Sequence, residues 1–170
     1  MNVKANQLEV THKNSDCAIG FTSGVAVAFW RLHTKAADVL ELQRAAGQAF
    51  EVSGTSIALV QIVLSSALAP DSYARAALAH MLTTLHGRVS HSAIVHEGEG
   101  FRAAMIRSIV TGVVALSNPG FPHRVFSTLA ESVTWMTKAD QRLDAAKINL
   151  TVAKVRAAVQ VEQETSRHTY

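Results

Sequence analysis

Residues 57–64 read IALVQIVL, an apolar run that is rich in β-branched side chains. An earlier run, residues 24–30 with the sequence GVAVAFW, is apolar at nearly every position. Runs of this length and composition are typical of strands that are covered on both faces of a sheet. Because segments with helical features follow both runs, we predict strands that alternate with helices, and therefore a mostly parallel sheet.

Capping residues and glycines bound the other elements around these two strands. We predict a strand at residues 17–21, and a short turn joins it to the strand at residues 24–30 to form a hairpin. Thr34 is the expected N-cap of a helix that ends before Gly54, and Asp71 or Ser72 is the expected N-cap of the next helix. The remaining predicted elements, in order, are a strand over 92–96, a helix over 101–116, a strand over 124–126 and a helix over 129–137 that Thr128 caps.

The predicted order of elements describes a single α/β domain with one mixed, mostly parallel sheet flanked by helices. We place this domain at residues 16–137. A polar, irregular arm precedes it at residues 1–15, and a C-terminal helix with a tail follows at residues 138–170. A length of 170 residues suits one domain of this class.

The predicted C-terminal helix carries one apolar stripe, which a helix in water must bury against something. Because the four helices predicted before it already cover both faces of the sheet, we expect the stripe to mediate self-association, most simply in a two-fold homodimer. Docking against its own domain is the alternative. The stripe consists of Ile148, Val152, Val155 and Val159.

Composition excludes several classes of protein. Hydrophobic residues make up 48% of the chain and charged residues 17%, which is the opposite of the balance in a disordered protein. The single cysteine, Cys17, excludes a scaffold of disulfides within the chain and indicates a buried, inert thiol in a reducing compartment. The net charge of +3 arises from scattered basic residues, so we expect no nucleic-acid partner.

The N-terminal residues and the longest apolar stretch bear on localisation. No apolar segment of a secretory signal follows the polar residues 1–10. The apolar stretch at residues 57–70 is interrupted by glutamine and serine, and it is shorter than the ~20 residues that span a membrane. We therefore expect a cytoplasmic protein without membrane insertion.

The sequence contains no recognisable motif for catalysis or for a cofactor. Both nucleotide-binding glycine patterns are absent, and no G-x-S-x-G elbow surrounds a serine. His86, His91 and His96 are spaced by five residues, but no second thiol or His-Glu-x-x-His pattern supports a metal site. We therefore assign no catalytic residue, no metal ligand and no cofactor. Ser65 and Ser66 follow a central predicted strand, where open α/β sheets place their sites, and they form a candidate loop site.

Two stretches and the order of elements carry a resemblance to a known family. Residues 95–104 read VHEGEGFRAA, and residues 121–126 read FPHRVF. Together with the order of strands and helices from Gly24 to Met136, they resemble the STAS family, named for sulfate transporters and anti-sigma factor antagonists, and its uncharacterised bacterial members in particular. The resemblance implies a compact α/β fold and a protein that binds partners and is not an enzyme.

The resemblance also implies a regulatory serine. In some STAS proteins a kinase phosphorylates a serine at the start of the helix after the third strand, within an Asp-Ser-Ser-Gly-like motif. Asp71 and Ser72 match the first half of that motif, whereas Tyr73 and Ala74 depart from its second half. Ser72, with Asp71, is therefore a candidate phosphorylation switch, and a helix cap is the structural alternative. A phosphate at a helix N-terminus adds negative charge and can alter the docking of a partner.

These observations predict a non-catalytic, regulatory protein-interaction module of STAS type that signals through protein partners and self-associates through its C-terminal helix. The first alternative is a protein that binds a small ligand, a lipid or a nucleotide, between the helices at the strand ends. The second alternative is an enzyme that uses the loop serines or the histidines.

Overall fold

A computed structural model describes the backbone of residues 7–167 and the side chains of residues 7–159, so parts of the predicted arm and of the predicted tail lie outside the described residues. Within them, the chain forms one mixed sheet of six strands flanked by five helices, which confirms the predicted α/β class. The strands are β1 (Glu9–Lys13), β2 (Cys17–Thr22), β3 (Val25–Trp30), β4 (Ile57–Leu64), β5 (Val89–Glu97) and β6 (His123–Phe126). The helices are α1 (Ala36–Ser53), α2 (Ser72–Thr84), α3 (Phe101–Ser117), α4 (Leu129–Ala139) and α5 (Ala145–Arg167).

The six strands lie in the sheet in the order in which they occur in the chain. Neighbours from β1 to β3 pair antiparallel, and neighbours from β3 to β6 pair parallel. The predicted hairpin is confirmed, because Thr22 pairs with Val25 across its turn. Gly24 in that turn has a φ of 85°, a conformation that glycine adopts without the strain another residue would suffer.

The strand order determines which face of the sheet each helix covers. Right-handed crossovers between successive parallel strands place their helices on one face when each new strand is added on the same side. α1, α2 and α3 are the three crossovers, and they share one core, which contains Leu42, Met81 and Val113. α4 and α5 cover the opposite face, where Met136 and Val152 belong to a second core.

The apolar stripe of α5 is buried inside its own chain. Ile148, Val152, Val155 and Val159 are 0%, 2%, 0% and 8% exposed, and α5 packs against β2 and β3 in the second core. The four earlier helices do reach both faces, but among them α4 alone covers the second face and packs mainly against β5 and β6, so the area over β2 and β3 is left to α5. The stripe therefore does not offer the self-association surface that the sequence predicts, and docking in its own domain is observed instead.

Polar contacts also hold α5 to the sheet. Thr151 Oγ1 lies 3.0 Å from Thr22 Oγ1 in a buried hydrogen bond. Arg156 forms an ion pair with Glu97 at the end of β5, and its guanidinium lies 4.9 Å from the centroid of the Phe29 ring. α5 is thus part of the same packed unit as the sheet.

Part of the predicted irregular arm is a strand. β1 pairs antiparallel with β2 at the edge of the sheet, which adds one strand to the five that the sequence predicts. Its sequence, EVTHK, is polar, and four of its five residues are exposed. The alternation of apolar and polar residues that identifies a half-buried strand is therefore missing.

The helix caps agree with the sequence in part. Thr128 caps α4, because its Oγ1 accepts a hydrogen bond at 3.2 Å from the backbone N–H three residues on. The N-cap of α1 is Lys35, which makes no side-chain capping bond, so the predicted cap at Thr34 is wrong. At α2 the cap is Asp71, and Ser72 is the first residue of the helix.

α3 is the most apolar of the helices, and its only charged residues are Arg102 and Arg107. It packs mainly against α2 and β6. Neither α3 nor any other helix in residues 7–167 is both long enough and apolar enough to cross a membrane.

Candidate functional site

The candidate loop site lies between β4 and α2, at the carboxyl ends of the parallel strands. Ser66 Oγ donates a hydrogen bond to the Arg31 carbonyl at 2.7 Å. The Ser65 carbonyl accepts a hydrogen bond from Arg102 Nη1 at 2.9 Å. These contacts tie the loop to the residue after β3 and to the first turn of α3. The Ser66 hydroxyl is thus engaged by the backbone rather than by a base.

Asp71 and Ser72 have different roles at the start of α2. Asp71 Oδ1 accepts a hydrogen bond from the Ala74 N–H at 2.8 Å and so caps the helix. Ser72 is exposed at the first helical position, so the structural alternative for Ser72, a helix cap, is wrong. A phosphate on Ser72 would gain from the helix N-terminus but would lie beside the Asp71 carboxylate, which repels it. Phosphorylation of Ser72 stays a prediction.

A small cavity lies beneath the loop, between the sheet, α2 and α3. Its volume is about 60 Å³. On the sheet side, Trp30 Nε1 donates a hydrogen bond to Gln61 Oε1 at 3.0 Å, so this pair of polar groups satisfies itself. Apolar side chains from the loop, the sheet and the two helices make up most of the rest of the wall, among them Leu68, Leu78, Met81, Ile94, Ile106 and Ile109.

His123 is the titratable side chain in the wall of this cavity. Its Nδ1 lies 2.9 Å from Ser92 Oγ on the neighbouring strand β5. Burial lowers the pKa of His123 to about 4, so its imidazole is neutral and a weak base near neutral pH. Ser92 has no exposed surface. The pair is a partly buried hydrogen bond between β5 and β6, and it lacks the accessible nucleophile that acyl transfer requires.

The three histidines that are spaced by five residues do not share a site. His86 Nδ1 lies 3.1 Å from the Pro119 carbonyl, on the side of the sheet that α2 and α3 cover. His91 packs edge-on against Trp135 of α4, with ring centroids 5.1 Å apart. His96 is buried in β5. Because His86 contacts the segment after α3 on one face of the sheet and His91 contacts α4 on the other, the three rings cannot hold one metal ion.

A different group of metal-binding side chains lies at the β1 edge of the sheet. Donor atoms of His12, Cys17 and Asp38 lie within 4.8 Å of one another. Burial and the neighbouring Asp38 carboxylate raise the pKa of the Cys17 thiol, so the thiol is protonated and a poor nucleophile. The sequence does not reveal this group, because its members come from β1, β2 and α1, and β1 carries no recognisable strand pattern.

Two comparisons with known proteins give no relative of this chain. No model of a protein family matches this chain, and no curated protein matches it. The resemblance to the STAS family therefore rests on residues 95–104, on residues 121–126 and on the order of the elements.

Proposed function

We propose that this protein is a non-catalytic regulatory module that acts through protein contacts, as its resemblance to the STAS family implies, and that it forms a homodimer through α3. The carrying observation is an exposed helix face without charge. We define the outer face of α3 as Phe101, Ala104, Ser108, Gly112, Ala115 and Leu116, all of which are exposed.

The outer face of α3 is largely apolar although water reaches it. Phe101 and Leu116 are 84% and 83% exposed. Arg102 and Arg107 lie at its flanks, where they donate hydrogen bonds to the Ser65 carbonyl and to a serine hydroxyl after β6. The outward side of a helix in a monomeric protein normally carries charged and polar side chains. A largely apolar outward side therefore supports a face that another molecule covers.

A second copy of the chain suits this face. Phe101 and Leu116 lie at opposite ends of α3, about 22 Å apart along the helix. In an antiparallel pair of α3 helices with a two-fold axis at their middle, Phe101 of each copy would therefore lie beside Leu116 of the other. Between them lie small side chains, and a Cβ atom at Gly112 would meet no atom within 4 Å apart from its chain neighbours and the nearby backbone of α3. Small residues let two helix backbones approach closely, so the same strip serves both copies.

Sedimentation velocity across a range of concentrations tests the dimer. We expect the parent protein to dimerise at micromolar concentration and the Phe101→Glu, Leu116→Glu variant to be a folded monomer. Leu150→Glu is the matched control, since Leu150 is an exposed leucine on α5 that lies outside the outer face of α3. It should leave the dimer intact. A parent that is monomeric at high micromolar concentration, or a control that dissociates equally, would contradict the proposal.

The chemistry of His123, Ser92 and Ser66 supports a protein that is not an enzyme. The His123 imidazole is a weak base, its partner Ser92 is buried, and the Ser66 hydroxyl binds a backbone carbonyl. A general base that works near neutral pH needs a pKa close to that pH. A hydrolytic turnover that disappears in a folded His123→Gln variant would contradict this part of the proposal.

Small-ligand binding is a second candidate function, and the cavity beneath the loop favours it. Among the described residues that line the cavity there is no lysine or arginine, so nothing in its wall matches the phosphates of a nucleotide. A volume of about 60 Å³ suits a short apolar group rather than a whole lipid. Native mass spectrometry of purified protein tests this function. A bound apolar compound that Ile109→Trp excludes would support it, and a parent protein that carries no added mass would contradict it.

A further inference from the structure

The group His12, Cys17 and Asp38 brings three chemically different donors to one place. They offer an imidazole nitrogen, a sulfur and a carboxylate oxygen, and these atoms lie within 4.8 Å of one another. Cys17 has no exposed surface, Asp38 is 3% exposed, and His12 is half-buried. Cys17 and Asp38 are therefore shielded from water, and solvent reaches the group at His12.

An irregularity in β1 turns His12 towards this group. Val10 pairs with Gly20, and His12 pairs with Ile19, so one extra residue of β1 lies between the two pairs. In a regular ladder His12 would lie opposite Ala18, whose side chain belongs to the core under α4 and α5. The bulge moves His12 to the other face of the sheet, which Ile19 and Cys17 share with α1.

Asp38 has an unsatisfied oxygen at this place. Its Oδ1 lies 2.8 Å from His12 Nε2 and accepts a hydrogen bond from Asn14 Nδ2 at 2.9 Å. Its Oδ2 is buried and has no hydrogen-bond partner among the described residues. A buried carboxylate oxygen without a partner loses its hydration and gains nothing in return, so it is costly unless a cation or a donor binds it.

Asn14 contacts all three members of the group, and its Nδ2 lies 3.1 Å from His12 Nε2. Its Oδ1 accepts hydrogen bonds from the Asp16 and Cys17 N–H groups at 2.8 and 2.9 Å, and its Nδ2 reaches Asp38. Its amide is thus fully used for positioning and does not compete as a ligand. Neighbours that orient metal ligands in this way are a regular feature of metal sites.

We propose that His12, Cys17 and Asp38 bind one divalent metal ion of the zinc class. Nitrogen, thiolate and carboxylate are the three ligand types that Zn²⁺ accepts, and three protein ligands leave a fourth tetrahedral position for water or an external ligand. The Cys17 thiol releases its proton when the ion binds, and the ion satisfies the free oxygen of Asp38. Because the ligands come from β1, β2 and α1, the ion fastens the edge strand to the first helix.

Cobalt(II) titration of untagged protein tests the site, because a thiolate ligand adds an intense charge-transfer absorption to the spectrum of the ion. We expect one ion per chain and a charge-transfer band that is lost in Cys17→Ser. His12→Gln should weaken Co²⁺ and Zn²⁺ binding by about ten-fold or more. His33→Gln is the matched control, since His33 is exposed and lies outside the group, and it should leave the affinity unchanged.

Two variants of the group are used because one of them can fail to fold. Cys17 is buried and its replacement can destabilise the chain, whereas His12 lies on the exposed edge strand and its replacement should leave the fold intact. The absence of a thiolate band in the parent protein would overturn the proposal. Equal affinities for His12→Gln and His33→Gln would also overturn it, because the ion would then be held elsewhere.

Discussion

α3 and α5 are both rich in apolar side chains, but they use them in different ways. α5 has one narrow stripe, and its own sheet buries all four residues of that stripe. α3 buries only Ile106, Val113 and Ser117 fully, and it leaves Phe101 and Leu116 exposed at its two ends. The stripe of α5 is thus used in internal packing, whereas the apolar ends of α3 stay exposed to water.

The order of strands in the sheet explains why α5 packs against its own chain. Three crossovers in sequence order place α1, α2 and α3 on one face, so the other face is left for the C-terminal segment. A bare sheet face would expose Val27, Val60 and Ile62, which the second core contains. α5 is required to cover part of this face, whereas the outer face of α3 covers nothing in its own chain.

The largest expected effect comes from placing charge in the stripe of α5. In Val152→Asp with Val155→Asp, two carboxylates would be buried without partners, at a cost of about 3 kcal/mol or more each. Since a domain of this size is stable by only about 5–15 kcal/mol, we expect the variant to be unfolded. Circular dichroism checks this, with Lys154→Asp on the exposed side of α5 as the control. A folded double variant with an altered oligomeric state would instead restore α5 as an interface.

Acid should act on His123 and on Asp140 in different pH ranges. On the α3 side, an unfolded histidine binds its proton near pH 6.5, but His123 in the fold does so only near pH 4. Protons therefore favour the unfolded chain, and stability should fall by about 3 kcal/mol as the pH drops from 6.5 to 4. On the other face, hydrogen bonds from Arg142 lower the pKa of Asp140 to about 2, so its contribution is lost only below pH 3.8.

Urea denaturation at a series of pH values separates these two groups. His123→Gln should remove most of the decline between pH 6.5 and 4, and His91, whose pKa burial also lowers, accounts for the rest. Asp140→Asn should leave the decline in place. An unchanged decline in His123→Gln would show that another group is responsible.

Glycines on the two sides should respond oppositely to a methyl group. A Cβ at Gly20 would lie 2.7 Å from the Glu9 carbonyl and 2.9 Å from Val155 Cγ2, so α5 could not pack as closely. Gly20→Ala should lower the free energy of unfolding by about 1–3 kcal/mol. Gly112→Ala on α3 meets open space and should raise it by about 0.5–1 kcal/mol, because alanine favours a helix. Both values come from urea titrations at concentrations where the chain is monomeric, and equal signs would contradict the comparison.

The parts of the fold that the sequence predicts are those with a strong local signal. β4 is found at its predicted bounds, because a continuous apolar run needs no knowledge of its neighbours. β1 is missed, because its polar residues EVTHK form a strand only through pairing with β2. The stripe of α5 is visible in the sequence, but the face that buries it depends on the order of strands in the sheet, which is a property of the whole chain.

The candidate sites also differ in whether a local sequence signal reveals them. Ser65, Ser66 and Asp71 can be placed at the strand ends from the sequence, since they directly follow β4 or precede α2. The group His12, Cys17 and Asp38 cannot, because it depends on the pairing of β1 and on a bulge that reverses the direction of one side chain. A single extra residue leaves no signature in β1, a strand that the sequence does not reveal.

A small effect is also expected in α2, which supports α3 from the side. Asp71 caps α2, so Asp71→Ala should lower the free energy of unfolding by about 0.5–2 kcal/mol. Ser72→Ala is the matched control, because Ser72 is exposed and is not the cap, and its effect should stay within about 0.5 kcal/mol. Urea denaturation with sedimentation of the same samples shows whether loosening α2 also weakens the proposed association through α3. If Ser72→Ala proves as costly as Asp71→Ala, the helix start is arranged differently in solution, and the position of α3 on it must be reconsidered.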